Sequence, residues 1–494
     1  MRARALRIMV FSAPADRSLL VSRRAVLPEG DGLVVEPAAV LVENGRIQAV
    51  WPLDVEPQGV DALAVRAGAR LFDFGDRLLT PAFVNAHTHL ALSALRAVAL
   101  EQATPGNMVE RFFYRVEAAM QASDIRAFAR VGAWESLLSG VGLVWDHYYE
   151  APAVAEALSD VGLAGVVSPA LQDLDGPGVE RVERALEETE QLAEQGRLKA
   201  RGIFAGVGPH ATDTVSEPLW AQVIELSRRH GLPVHAHLAQ SIEEVRRAHD
   251  RHGCSPTALL HRMGVLESVP RGVWAHGLYC SRSDLELLAG DRHALVYCPY
   301  SQLVFGFPAR VSEWSHAGVD WVVATDCAAS NDSMNLQKEL RFVEGQRSVG
   351  TAFTPAYERF LESGRPEDAE AVWSRREAFR RTADEEGDRA QSLLARVWRR
   401  PGRLHPSFVA GEISRGALAN LVVWDLDHPS MWPEHAPFRT LAMADTTQAI
   451  HAMFVVGHLV GTPGSFHRSL IDGEAYRAAV GEASERLARL LDRV

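Results

Sequence analysis

Two pairs of histidines, each spaced two residues apart, are the first sign of chemistry in this chain. His87 and His89 stand in PAFVNAHTH, and His235 and His237 in LPVHAHLAQ. On a strand, residues i and i+2 point to the same side, so each pair presents two imidazoles to one face. Far downstream, the apolar run VDWVVATDC carries Asp326. Two imidazoles from the first stretch, one from the second and this carboxylate make a three-nitrogen, one-oxygen donor set. Such a set suits Zn2+ or Fe2+ far better than Ca2+ or Mg2+, which prefer oxygen cages. A working site also keeps one position open for water. Gln240, three residues after His237, stands where a hydrolase would use an acid. Its amide can donate or accept a hydrogen bond but has no ionisable proton.

These residues need a frame that brings distant stretches together. Eight short apolar runs alternate with helix-like stretches over roughly 81–400: PAFVNAHTH, GLVWDHYY, LAGVVSPALQD, GIFAGVGPH, LPVHAHLAQ, GVWAHGLY, ALVYCPYSQ and VDWVVATDC. Strand alternating with helix implies a parallel sheet, and eight such units imply an α/β fold, the (β/α)8 TIM barrel. Each run ends in ligand-type residues: His87 and His89, Asp146 and His147, Gln172 and Asp173, His210, His237 and Gln240, His276, Ser301 and Gln302, Asp326. In this barrel the C-terminal strand ends form the active face. His237 lies nearer that face than His235, so His237 is the expected ligand and His235 a supporting group one layer below.

Flanking the barrel, 1–80 and 405–470 carry short β-like runs, with Asn44-Gly45 as a hairpin turn. They predict one small β-sandwich domain built from both ends of the chain. The barrel is expected over 81–404, with a charged helical insertion at 350–400, and a docked helix over 471–494. The first residues, MRARALRIMVFSAPA, read as an N-terminal extension, because their apolar run is too short for a secretory segment.

Composition narrows the partners. The net charge is −12, which argues against nucleic acid and anionic membranes. No window approaches the ~20 apolar residues of a membrane span. Cys254, Cys280, Cys298 and Cys327 form no CxxC pair, so they are expected as reduced thiols in a cytoplasmic protein.

PAFVNAHTHLALSALR, GPHA, HAHLAQSIEEV, GVWAHGLY and ATDCAASND, in that order, resemble the amidohydrolase superfamily. The similarity is to the branch of cytosine, guanine and S-adenosylhomocysteine deaminases and triazine chlorohydrolases. GEISRGALANLVVWDLDHP and VVGHLV are similar to that branch's C-terminal β segment, with Asn420 where aspartate is usual. The resemblance runs from about residue 30 to 462. It implies that His87, His89, His237 and Asp326 hold the metal. It implies that His276 hydrogen-bonds the attacking water or the oxygen formed from it, and that His210 contacts substrate. Binuclear relatives bridge their metals with a lysine at the end of strand four. Here Pro209 and His210 occupy that end, and the chain's two lysines, Lys199 and Lys338, lie elsewhere. One metal per site is therefore expected. The resemblance also implies a homodimer or larger homo-oligomer and a small heterocyclic substrate.

In the deaminases the position of Gln240 is a proton-shuttling glutamate. Its loss leaves three options: Asp326 makes all transfers, Asp146 or Glu244 substitutes, or the substrate needs no ring protonation. Glu243 and Glu244 read as a solvated first helical turn, where the dipole favours acids. Asn331 and Asp332 read as a helix N-cap after strand eight. Trp145, Tyr148, Tyr149, Phe305 and Phe307 can stack a flat heterocycle or fill core; Trp145 and Phe305 are taken as substrate contacts. The first reading is a hydrolytic deaminase in which Asp326, His276 and Gln240 act on substrate. The second opens a cyclic amide or imidazolone, or displaces chloride, with the same site. The third is a non-catalytic binding member.

Overall fold

The computed structural model describes residues 17–53, 58–97, 107–352, 354–385 and 389–493. The N-terminal extension at 1–16 lies outside them. Eight strands, all nearly or fully buried at their C-terminal ends, form two parallel arcs. Phe83–Thr88, Val141–Tyr148 and Ala164–Leu171 run side by side, followed by a fourth strand in two pieces, Ile203–Ala205 and Gly208–Pro209. The second arc orders Val234–Leu238, Gly272–His276, Gly290–Tyr297 and Val319–Val323. These are the eight runs of the sequence, in sequence order. Burial on both faces explains why they read as apolar blocks rather than as alternating strands.

The arcs meet along two seams. A parallel bridge pairs Val207 with Val234, and another pairs Thr88 with Asp326. At the first seam His235 N–H donates to the Val207 carbonyl at 2.9 Å, and His237 N–H to the His210 carbonyl at 3.0 Å. At the second, Asp326 N–H donates to the His87 carbonyl at 3.1 Å. The Asn85 amide donates to Thr325 Oγ1 at 2.8 Å, and Thr325 N–H returns a bond to Asn85 Oδ1 at 3.1 Å.

Strands from both ends of the chain share an eight-stranded layer. Arg17–Glu29, Gly32–Glu43 and Arg46–Pro52 pair antiparallel, the last two joined at Asn44 and Gly45 with φ of 51° and 75°. This is the left-handed turn that Asn-Gly favours. Leu78–Pro81 pairs antiparallel with Leu421–Trp424, which continues to Ile450–Val455 and His458–Val460. Alternation is clean: Leu20, Val40, Leu79, Leu421, Val423 and Phe454 pack on one side. Leu19, Val21 and Leu41 pack on the other with Val60 and Ala64 of the helix Gln58–Ala67.

The charged insertion is helical, with Pro355–Ser363 and Pro366–Glu385 packed on one another. The last helix, Glu474–Leu491, docks on Ala122–Leu138, where Arg486 reaches Asp124 at 3.0 Å and Arg130 pairs with Glu482. Among the described residues no helix is long and apolar enough to cross a membrane.

Candidate metal centre

His87 and His89 leave the first strand on its inward side and meet Asp326 from beyond the eighth. His87 Nε2 and His89 Nε2 lie 3.6 and 3.4 Å from Asp326 Oδ1. His237 Nε2 approaches His89 Nε2 at 3.2 Å. Donors about 2.1 Å from a tetrahedral zinc sit about 3.4 Å from one another, so these separations are those of a coordination polyhedron. His276 completes a cluster with His87 and His237, its ring stacked on His237 with centroids 5.5 Å apart.

The far nitrogens are held as metal-binding imidazoles require. His87 Nδ1 pairs with His235 Nε2 at 2.8 Å, His89 Nδ1 with the His147 carbonyl at 2.5 Å, and His237 Nδ1 with the His210 carbonyl at 2.9 Å. This leaves His87 Nε2 buried without a hydrogen-bond partner, as an atom awaiting a cation would be. Asp326 Oδ2 accepts from Ser301 Oγ at 2.6 Å, and Ser301 in turn meets Ser330 Oγ at 2.6 Å.

Electrostatics favour the ligating forms. Burial and four neighbouring histidines hold His87 well below the ordinary histidine range. Burial lowers His89 and His276 to about 4 each, against the His147 carbonyl for the first and Asp326 for the second. Neutral imidazoles are the species that bind metal. Asp326 is pushed up by burial, opposed by His276 and the Ser301 hydroxyl. A divalent ion between them would reverse that push.

Three strand ends depart from extended backbone near these groups. Ala239, His276 and Asp326 have φ of 49°, 77° and 61°, a region that non-glycine residues seldom adopt. The left-handed turn re-aims the chain just where a donor must face inward.

The remaining expected residues fall in different places. His210 joins the cluster, its ring 4.8 Å from that of His237 and its Nδ1 3.0 Å from Thr214 Oγ1. Gln240 is half-buried, and its backbone N–H donates to Glu244 Oε2 at 2.8 Å. Trp145 is 0% exposed and lies in the layer below, 5.7 Å from the His235 ring and 6.1 Å from His405. It belongs to the buried core cluster, so the expected substrate contact is not among the contacts it makes here. The Phe305 side chain lies outside the described residues. Tyr148 and Tyr149 are buried, and Phe307 is exposed against Tyr279.

Asp146 bonds to the end of the first strand. Its Oδ2 accepts from Thr88 Oγ1 at 3.0 Å and from Leu90 N–H at 2.7 Å, and burial raises it to about 7. Glu244 is 3% exposed rather than solvated. Asn331 does not cap the helix Ala328–Asn331: it closes that helix and donates to the Thr325 carbonyl at 2.7 Å and to Glu339 at 3.0 Å. Sequence reasoning gave no role to His147, which forms a second donor group with His89 and His237. Its two-residue offset from inward-facing Trp145 was the available signal. Ser301 was noticed as a strand-end residue, but its bond to Asp326 spans 25 residues.

Comparison with known proteins fits this geometry. Residues 78–356 match the amidohydrolase family, and the chain belongs to it. A 5-methylthioadenosine/S-adenosylhomocysteine deaminase of Symbiobacterium thermophilum is 28% identical over 453 residues, covering 90% of this chain and 93% of that protein. A zinc-bound adenosine deaminase from Xanthomonas campestris has the same fold, with a TM-score of 0.73 at 23% identity over 96% of this chain and 98% of that one. A zinc-complexed atrazine chlorohydrolase from Arthrobacter aurescens TC1 reaches 0.73 at 20% identity over 95% and 99%.

Proposed function

We propose that this protein is a hydrolytic deaminase of a small nitrogen heterocycle, holding one divalent ion, zinc by preference, on His87, His89, His237 and Asp326. The observation that carries the reading is the 3.2–3.6 Å spacing of donor atoms from three distant stretches of chain. It supposes that the two arcs close into a (β/α)8 barrel over 81–404. The proposed β-sandwich domain combines 1–80 with 405–470, and the helix of 471–494 is docked on the outside. Four free thiols support a reducing, cytoplasmic setting, and a homo-oligomer is expected from the family resemblance.

When bound, the ion lowers the pKa of water toward about 7 and so supplies a nucleophile at neutral pH. Asp326 takes the proton of the attacking water while Ser301 holds its other oxygen. His276 donates to the oxygen that gains charge as the carbon becomes tetrahedral. The proton on Asp326 then passes to the departing nitrogen. The C–N bond breaks and ammonia leaves, and the proton remaining on the added oxygen ends on the ring nitrogen as C=O forms, so R–NH2 and water give the oxo tautomer and ammonia. His210 and Gln240 read the heterocycle, Gln240 by hydrogen bonding alone.

Gln240 itself favours a second reading, ring opening of a cyclic amide or loss of another leaving group, because such reactions do without a shuttle to a ring nitrogen. The test is metal quantification followed by purine, pyrimidine, pterin and triazine panels with product mass spectrometry. About one metal per chain with ammonia release supports deamination. Ring opening adds water and releases no ammonia. Absence of ammonia across the panel would falsify the first reading. Asp326→Asn should lower kcat by about 10²–10⁴-fold or more, since it removes the proton carrier.

A further inference from the structure

Glu244 reaches two strand-end loops at once, those after the fourth and fifth strands. The helix Ile242–His252 begins immediately after the fifth strand, capped by Ser241, whose hydroxyl accepts from Glu244 N–H at 3.2 Å. An acid in a first helical turn is favoured by the helix dipole whether or not it is buried. This side chain is nonetheless folded inward. Its Oε2 accepts from Gln240 N–H at 2.8 Å, and its Oε1 accepts from Thr212 Oγ1 at 2.7 Å. Gln240 follows Ala239, whose φ of 49° takes the chain out of the sheet ladder. Thr212 lies two residues beyond His210 on the loop after the fourth strand. One helical turn further, Arg247 meets Asp213 at 3.0 Å and Glu110 at 2.6 Å.

Resting on the deaminase reading, we propose that Glu244 is a positioning residue that fixes Gln240 and His210 at a set separation by tying both of their loops to one carboxyl. Burial with Asp213 nearby raises Glu244 to about 7, yet either protonation state keeps the tie. The ionised form accepts both bonds, and the acid form donates to Thr212 Oγ1 while accepting from Gln240 N–H. A misplacement of 1 Å in a substrate-positioning group can cost about 10²-fold in rate, so the tie bears directly on substrate reading.

Glu244→Gln can satisfy both partners, its Nε2 donating to Thr212 Oγ1 and its Oε1 accepting from Gln240 N–H. In zinc-loaded protein it should keep KM within about 3-fold, while Glu244→Ala raises KM by about 10-fold or more at unchanged metal content. Thr212→Val, which removes one tie, should shift KM the same way by less, and it carries the test if Glu244→Ala does not fold. Hydrogen exchange at the Gln240 amide should speed up in Glu244→Ala and stay slow in Glu244→Gln. Unchanged KM in a folded, metal-loaded Glu244→Ala overturns the proposal. So does an equal loss in the Gln and Ala variants, or unaltered exchange at Gln240. A wild-type protein inactive on every substrate would sink the deaminase reading, and the exchange measurement would still decide the tie.

Discussion

His235 shows how much of the proposed metal site lies outside its ligands. Its bond to His87 Nδ1 orients that ring and leaves Nε2 as the nitrogen that would face a cation. Replacing it with phenylalanine keeps most of the buried volume but removes the partner. His235→Phe should weaken zinc binding by about 10–100-fold, measured by competition with a chromophoric chelator. The His87/His89 pair was legible because a two-residue period on a strand has one geometric meaning. The depth of a side chain was harder to read: Trp145 stands 5.7 Å from the His235 ring and 6.1 Å from His405, whereas His147 stands 5.6 Å from His235 and 5.1 Å from His237. Glu244 was misread because a first-turn acid is normally solvated, and only the loop folding over it makes it buried.

At the scale of elements, the seam between the first and eighth strands sets the distance between His87 and Asp326. Asn85 and Thr325 exchange two hydrogen bonds there, and both are 0% exposed. Asn85→Ala leaves the Thr325 amide and hydroxyl short of partners. An unsatisfied buried group costs about 1–3 kcal/mol. The expected loss is about 2 kcal/mol in urea unfolding, accompanied by faster zinc release to chelator. The eight strands could be read from the sequence because each is a short apolar block bounded by helical periodicity. Their pairing partners across the seams could not, since Asn85 and Thr325 are 240 residues apart. Asn331 was misread for a different, more local reason. Its contact with Glu339 depends on how the chain turns after Asp326, not on local capping propensity.

For the molecule as a whole, buried histidines and buried acids pull the response to pH in opposite directions. Away from the proposed metal donors, burial lowers His293 and His405 to about 4. As the pH falls from 6.5 toward 4, the unfolded chain takes up protons on these imidazoles and the folded chain does not. Their contribution is therefore full above about pH 6.5 and is lost on acidification. Glu117, Asp146, Glu244 and Glu339, each raised to about 7 by burial, act oppositely. They weaken the fold as the pH rises from about 4.5 through 7. His405→Gln keeps a donor for the Ala205 carbonyl, which His405 meets at 3.1 Å, and removes the titration. Between pH 6.5 and 5 it should lose about 1–2 kcal/mol less than wild type in urea unfolding.

The layer shared by both ends of the chain has a consequence in time. Trp424 Nε1 donates to Thr80 Oγ1 across 344 residues, and Leu421–Trp424 is the neighbour of Leu78–Pro81. A ribosome adding about 5–20 residues per second needs roughly 20–70 s to make the intervening stretch. Through that interval the apolar edge at Leu78 and Leu79 waits for a strand not yet synthesised. The hairpin at Asn44-Gly45 can form at once, but the nascent chain must keep its neighbouring edge from pairing with another copy until the last strands emerge.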